Sequence, residues 1–136
     1  MEINYLAVLV SAVVSMVIGS IWYGPLFGKK YMEACGVDTW SEEKKAEMKK
    51  SMMVSYVGQF IASLVMFFVL ELYILASTSG GAMPGLTTGF MLWLGFVVPV
   101  KLGDMIWGGN KTLFWLSIGG HLVTLLVVGA ILGAWM

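Results

Sequence analysis

Charged residues are absent from four long stretches of the chain, and these stretches predict its class. No Asp, Glu, Lys or Arg occurs in residues 3–28, 51–70, 72–100 or 112–136. The apolar core of a bilayer is about 30 Å thick, and a helix of roughly 20 apolar residues crosses it. The third stretch contains a turn-forming segment, residues 76–85 (ASTSGGAMPG), which separates two helices. The pattern therefore predicts four spans, at about 3–24, 52–75, 84–107 and 112–135.

The spans are expected to be helices rather than strands. Lipid offers no partner for unpaired backbone groups, so a chain crosses it as helices or as a closed barrel. The stretches are continuously apolar and rich in small residues, without the alternation of a strand. With 136 residues there is no room for a separate soluble domain. The expected fold is an all-α integral membrane bundle, a single transmembrane domain over residues 1–136 with one sizeable loop, residues 25–51.

The lysines predict how the bundle is oriented. Eight basic and eight acidic residues cancel, which argues against a nucleic-acid partner. All eight lysines fall in or beside the first and third connections, at Lys29, Lys30, Lys44, Lys45, Lys49, Lys50, Lys101 and Lys111. Basic residues favour the cytoplasmic side of a membrane. We therefore expect loop 25–51 in the cytoplasm, both termini outside, and a bacterial inner membrane as the location.

The end of loop 25–51 has the sequence of a helix. Ser41 can cap it, Glu42 and Glu43 occupy its first turn, and lysines follow. We interpret residues 41–50 as a short surface helix at the headgroup boundary. Two further roles are open for this loop: its lysines can hold anionic lipid, and residues 31–50 can dock a protein partner.

Aromatic and small residues predict how the spans are anchored and packed. Trp22, Tyr23 and Trp107 lie at span ends, where such rings favour the membrane interface. Small residues recur at helical spacing at Ser11, Ser15 and Gly19, at Gly85 and Gly89, and at Gly129 and Gly133. Such ridges let helices approach closely in lipid. Three ridges suggest that some face other protomers, so a homo-oligomer is expected.

Several polar residues lie inside the predicted spans, where ionisable groups are expensive and commonly functional. Gln59, Lys101, Asp104 and His121 fall at depths that would let them meet in the cytoplasmic half. Glu71 falls in the outer half, either close to the interface and paired or solvated, or lining an outer vestibule. We therefore consider the first four residues as candidates for lining an inner vestibule.

Each of these candidates also has a purely structural interpretation. Lys101 and Asp104 are three residues apart and could neutralise each other at the interface. Pro99 removes a backbone donor and is expected to bend its helix beside that pair. His121 could be a proton-relay group or ligand contact, or it could form a neutral hydrogen bond between helices.

Catalytic and metal chemistry find little support in the sequence. No serine lies in a Gly-x-Ser-x-Gly turn, and His121 is the only histidine, so we expect no enzyme, no metal site and no cofactor. Cys35 is the only cysteine, which excludes an intramolecular disulfide. A lipid-modifying enzyme remains the least favoured alternative.

A weak internal similarity suggests two related hairpins. Residues 19–24 resemble residues 103–109, with glycine followed by tryptophan and glycine, and residues 58–63 resemble residues 120–124. The two hairpins would be parallel repeats, related by an axis along the membrane normal.

Three segments resemble a known family. They are residues 22–32 (WYGPLFGKKYM), 90–99 (FMLWLGFVVP) and 120–135 (GHLVTLLVVGAILGAW). The chain resembles the small bacterial membrane proteins grouped as the domain-of-unknown-function 1761 family, over nearly its whole length. The resemblance implies a four-span membrane protein, includes Pro99 and His121, and implies no activity.

Two functions are therefore expected from the sequence. The first is oligomeric transport of a small solute or ion, with the four inner polar residues lining a vestibule. The alternative is an interaction or assembly protein that works through residues 31–50. The two differ on whether the polar residues within the spans are reached by water.

Overall fold

The fold is built from six α-helices, and it is seen in a computed structural model that describes residues 3–135. Two of the helices continue through a π-helical turn, and within residues 3–135 there is no strand. The helices are α1 (Tyr5–Ile21), α2 (Gly28–Cys35), α3 (Glu42–Ser77), α4 (Ala82–Leu92), α5 (Val98–Ile106) and α6 (Lys111–Ala134). The π-helical turns are Trp22–Leu26, after α1, and Trp93–Val97, which joins α4 to α5.

Four continuous helices are long and apolar enough to cross a membrane. They run over Tyr5–Leu26, Glu42–Ser77, Ala82–Ile106 and Lys111–Ala134. Their beginnings follow from the sequence: Asn4 accepts a hydrogen bond from the Ala7 amide at 3.0 Å, and Asn110 accepts from Thr112 and Leu113. The predicted all-α class is confirmed, and the chain has the features of a multi-pass membrane protein.

Helix α3 is longer than the sequence suggested. Its 36 residues correspond to about 54 Å, well beyond the thickness of a bilayer core. Ser41 caps it as expected, accepting from the Lys44 amide at 3.2 Å, and Glu42 pairs with Lys45 at 3.8 Å. Residues 42–50 are therefore the first turns of the spanning helix, because no residue after Ser41 interrupts the helical hydrogen bonds. The helix expected at residues 41–50 thus leads directly into this span. Loop 25–51 also contains α2 and a short 3-10 helix, Val37–Thr39.

Glycines bring α4 and α6 into direct backbone contact. A methyl group at Gly85 would collide with the Gly129 carbonyl, and one at Gly89 would collide with the Leu125 carbonyl. The Gly81 amide donates to the Gly133 carbonyl at 2.7 Å, which ties the start of α4 to the end of α6. Two of the three predicted small-residue ridges are thus used within one protomer, so they are not free to join protomers.

The hydrophobic core lies where α1, α3 and α6 meet. It comprises Ala7, Val8, Ala12, Phe67, Leu70, Ile74, Leu125, Val128 and Leu132. Ser11, from the third ridge, is completely buried beside this core, whereas Ser15 is half-buried and nothing lies within 4 Å of a methyl group built on Gly19. The lower part of this ridge therefore remains open.

The two ends of the bundle are packed very differently. We call the end that carries residues 27–50 and 107–111 the lysine end, and the end that carries residues 3–5, 78–81 and 134–135 the terminal end. Every α3 residue from Ser51 to Gln59 is exposed, whereas Ser63, Phe67 and Ile74 are buried. Because a helix exposed all round has no neighbour, α3 joins the bundle only toward the terminal end.

Candidate functional site

Lys101 lies on α5 and His121 lies on α6, and these two helices contact each other. Both side chains are half-buried, and the Lys101 ammonium lies within electrostatic range of the His121 imidazole. Among the side chains that the structure describes, no carboxylate lies within 4 Å of the Lys101 nitrogen. The two helices therefore carry a cation that is not ion-paired with any described carboxylate and an imidazole that can donate or accept a hydrogen bond.

Asp104 does not neutralise Lys101, although the two residues share a face of α5. Asp104 is exposed and forms no ion pair with Lys101. Their three-residue spacing would allow an ion pair, but their charged atoms lie more than 4 Å apart. The ion pair considered in the sequence is thus not formed.

Gln59 also stays apart from the histidine. It lies one turn before buried Ser63 on the core-facing stripe of α3, but α3 has already left the bundle at this level. Its amide nitrogen approaches the Ser63 hydroxyl at 3.5 Å, and the Ser63 hydroxyl donates to the Gln59 carbonyl at 2.9 Å. Of the four inner candidates, Lys101 and His121 lie within electrostatic range of each other, on two helices that are in contact.

A π-helical turn precedes the Lys101 site, at the place where Pro99 was expected to disturb the helix. The Val98 amide donates five residues back to the Trp93 carbonyl, instead of four. Because Pro99 has no N–H, the Gly95 carbonyl has no donor four residues later. The turn re-aims α5, and it therefore helps to set where Lys101 lies relative to α6.

Two tryptophans from opposite sides hold the segment of α6 that leads to His121. The Trp22 indole donates to the Leu116 carbonyl at 2.9 Å, and the Trp93 indole donates to the Ile118 carbonyl at 2.7 Å. The Trp22 ring covers the two glycines before His121: a methyl group would lie 2.8 Å from it at Gly119 and 3.2 Å from it at Gly120. These glycines therefore make room for an indole ring.

These tryptophans also change the expected internal correspondence. Trp22 and Trp93 each begin a π-helical turn, each lie two residues before a glycine, and each donate to α6. Trp107, which the sequence matched to Trp22, is 90 % exposed at the end of α5 and does not play this part. The sequence did contain a pattern that relates Trp22 to Trp93: both begin a Trp-x-Gly segment that is followed by a proline, in WYGP and WLGFVVP.

Aromatic residues near the lysine end join α2 to the bundle. Tyr23 lies beside Ser117 of α6, and its ring meets the Tyr31 ring edge-on at 4.8 Å. Two causes raise the pKa of the Tyr31 hydroxyl: its burial, which is the larger, and the nearby Cys35. The hydroxyl therefore remains neutral at physiological pH. Trp22 and Tyr23, expected as lipid-interface anchors, thus contact protein.

Glu71 lies apart from the other polar candidates, close to the terminal end of α3. It is 1 % exposed, so it is neither solvated nor paired at the interface as one interpretation had it. In the described part of the chain, no three His, Cys, Asp or Glu side chains are grouped as a metal site would require. Cys35 is a free thiol.

Comparison with known proteins places the chain in a family without assigning it an activity. No curated protein matches it. No solved structure matches it either. The family described as "Protein of unknown function (DUF1761)" matches residues 6–133, nearly the whole chain. The resemblance expected from the three sequence segments is thereby confirmed, and the chain belongs to this family.

Proposed function

We propose that the protein moves a small anionic solute across the membrane, and that Lys101 binds the anion. The observation that carries this proposal is an uncompensated cation within a spanning helix. A lysine at the centre of a membrane costs about 2.5–3.5 kcal/mol on the insertion scale. Lys101 bears part of this cost without a carboxylate partner among the side chains that the structure describes. An anionic ligand would supply the missing charge.

The surroundings of Lys101 support a binding role. His121 adds a hydrogen-bonding group beside the ammonium. Because α3 has no neighbour from Ser51 to Gln59, the bundle is open at the lysine end. The π-helical turn Trp93–Val97 lies just before the site, and such turns within a helix frequently occur at functional sites. Four helices enclose little volume, so the proposal includes a homo-oligomer.

The experiment is anion flux into proteoliposomes that contain the purified protein, with radiolabelled acetate and phosphate as first probes. Lys101→Met should abolish flux because it removes the charge and keeps the length of the side chain. His121→Ala should reduce flux while assembly is retained. Lys111→Met is the matched control, since Lys111 is exposed at the start of α6. Equal flux in Lys101→Met and wild type would overturn the proposal.

Water access gives a second test that does not require the solute. In a Cys35→Ser background, His121→Cys should react with a membrane-impermeant thiol reagent added from the lysine end. Leu125→Cys, one turn further into the core, should not react, because Leu125 is buried. A His121→Cys variant that is folded and assembled but unreactive would contradict an open vestibule.

A second function is favoured by the exposed beginning of α3. In this segment Glu42 forms an ion pair with Lys45. The Lys44 ammonium lies 4.6 Å from the centre of the Trp40 ring. The segment therefore presents a charged surface. An interaction or assembly protein acting through residues 31–50 would use that surface. In that case Trp40→Ala with Lys44→Gln should remove function while Lys101→Met retains it, the reverse of the transport prediction.

A further inference from the structure

Glu71 is a buried acid that the proposed transport site does not use. It is 1 % exposed and lies on the buried face of α3 with Phe67, Leu70 and Ile74. The Asn4 backbone amide approaches the Glu71 carboxyl, so Glu71 lies at the same height in the bundle as the start of α1. Its place is therefore dry although it is close to the terminal end.

One oxygen of the Glu71 carboxyl lacks a partner. Its Oε2 atom is fully buried and makes no hydrogen bond, and no basic side chain of residues 3–135 lies within 4 Å of it. On the packed elements, the titratable groups of the terminal half are Tyr5 of α1 and Tyr73 of α3, and both are exposed. The Asn4 side chain approaches the Trp135 carbonyl, so Trp135 marks the level of Glu71 on α6. His121 lies 14 residues earlier on the same helix, roughly 20 Å farther from the terminal end.

These surroundings favour the protonated form of the Glu71 carboxyl over the ionised form. A buried ionised group without a counter-charge is strongly disfavoured, because it has lost its hydration. The N-terminus of α1 offsets only a part of this cost, since a helix dipole places only about half an elementary charge there. A multivalent cation would need further ligands, and no such cluster exists among the described residues. A single proton removes the charge without any additional ligand.

We propose that Glu71 is a proton-binding site of this protein. The carboxylate takes up one proton from water at the terminal end, becomes a neutral carboxylic acid within the closed bundle, and returns the proton by the same route past Asn4. Asn4 is half-buried at the start of α1, and its backbone amide approaches the carboxyl. The proposal rests on Glu71 alone and is independent of anion transport through Lys101.

Infrared spectroscopy of the full-length protein in lipid vesicles tests the proposal directly. A protonated carboxylic acid has a C=O band well separated from the carboxylate bands. At neutral pH the wild type should show this band, and Glu71→Gln should lose it. Asp104→Asn, the matched control at an exposed acid, should retain it. Absence of the band from the folded wild type would overturn the proposal.

Two further measurements keep the test decisive. Labelling glutamate with ¹³C at the side-chain carboxyl should shift the band of the wild type, which assigns it to a glutamate even if Glu71→Gln fails to fold. Transfer from H₂O to D₂O should shift the band downward, as expected for a proton that exchanges with solvent. A band that persists without a deuterium shift would show a sealed proton and would contradict the exchange step.

Discussion

The terminal and lysine halves of this bundle are packed in different ways. In the terminal half, glycines let α4 and α6 touch through their backbones, and α1, α3 and α6 share a closed core. In the lysine half, α3 is exposed over Ser51–Gln59, and α6 is contacted by α2, by α5 and by two indole rings that donate to its carbonyl groups. Close packing fixes the first half, whereas hydrogen bonds and open space characterise the second.

The difference shows where a binding site can form in so small a membrane protein. Tight helix packing leaves no room for a ligand, since protein interiors have few voids. Lys101 and His121 lie in the half where α3 is exposed, whereas Glu71 is buried in the closed half. The two polar positions therefore belong to environments of different kinds.

The largest effect is expected at the glycine contact of the terminal half. Gly85→Ala should destabilise the protein by about 1–3 kcal/mol or more, because the added methyl group meets the Gly129 backbone, which cannot move aside. Gly103→Ala in α5 is the matched control; nothing lies within 4 Å of the new methyl group, and alanine favours a helix by up to about 1 kcal/mol. Unfolding in mixed micelles measures both, and equal stabilities would refute the backbone contact.

A medium effect is expected at the two indole rings. Trp22→Phe and Trp93→Phe should each cost ~1–2 kcal/mol, since each removes a donor to an α6 carbonyl and leaves space beside it. Trp107→Phe should change stability by less than about 0.5 kcal/mol, because Trp107 is 90 % exposed. The same unfolding experiment, followed by tryptophan fluorescence, compares the three. A Trp22→Phe protein as stable as Trp107→Phe would contradict the role of the indole hydrogen bond.

A smaller effect, and of opposite sign, is expected at Lys101. Lys101→Met should leave stability unchanged or raise it, by less than the ~2.5–3.5 kcal/mol that a lysine costs at the membrane centre. The reason is that the substitution removes an unpaired charge and breaks no ion pair within residues 3–135. Flux should nevertheless be lost. A clear loss of stability would instead assign Lys101 a structural partner.

The smallest effect is expected on the free part of α3. Gln59→Leu should alter protomer stability by less than about 0.5 kcal/mol, because Gln59 is exposed and its side chain reaches only Ser63. Thermal unfolding in detergent at several protein concentrations provides the measurement. A larger loss that grows as the protein is diluted would show that a second protomer covers this face.

The composition of single segments was enough to predict the helices. Four uncharged stretches indicated four spans, and Ser41 was recognised as a helix cap because capping depends on a few neighbouring residues. The length of α3 exceeds the span predicted at 52–75 because the helix predicted at 41–50 joins it without a break. Of the proposed vestibule residues, Lys101 and Asp104 form no ion pair and Gln59 is exposed on α3, so the lining of a vestibule stays a prediction.

Local sequence determined the class of this protein, its helices and the polar residues within them, because hydrophobic length and capping act over a few turns. Only the tertiary structure decided which glycines meet, which tryptophans bind α6 and how deeply Glu71 is buried. These outcomes depend on how each helix rotates and tilts against its neighbours. In a helix that is apolar all round, almost nothing in its own sequence specifies that rotation.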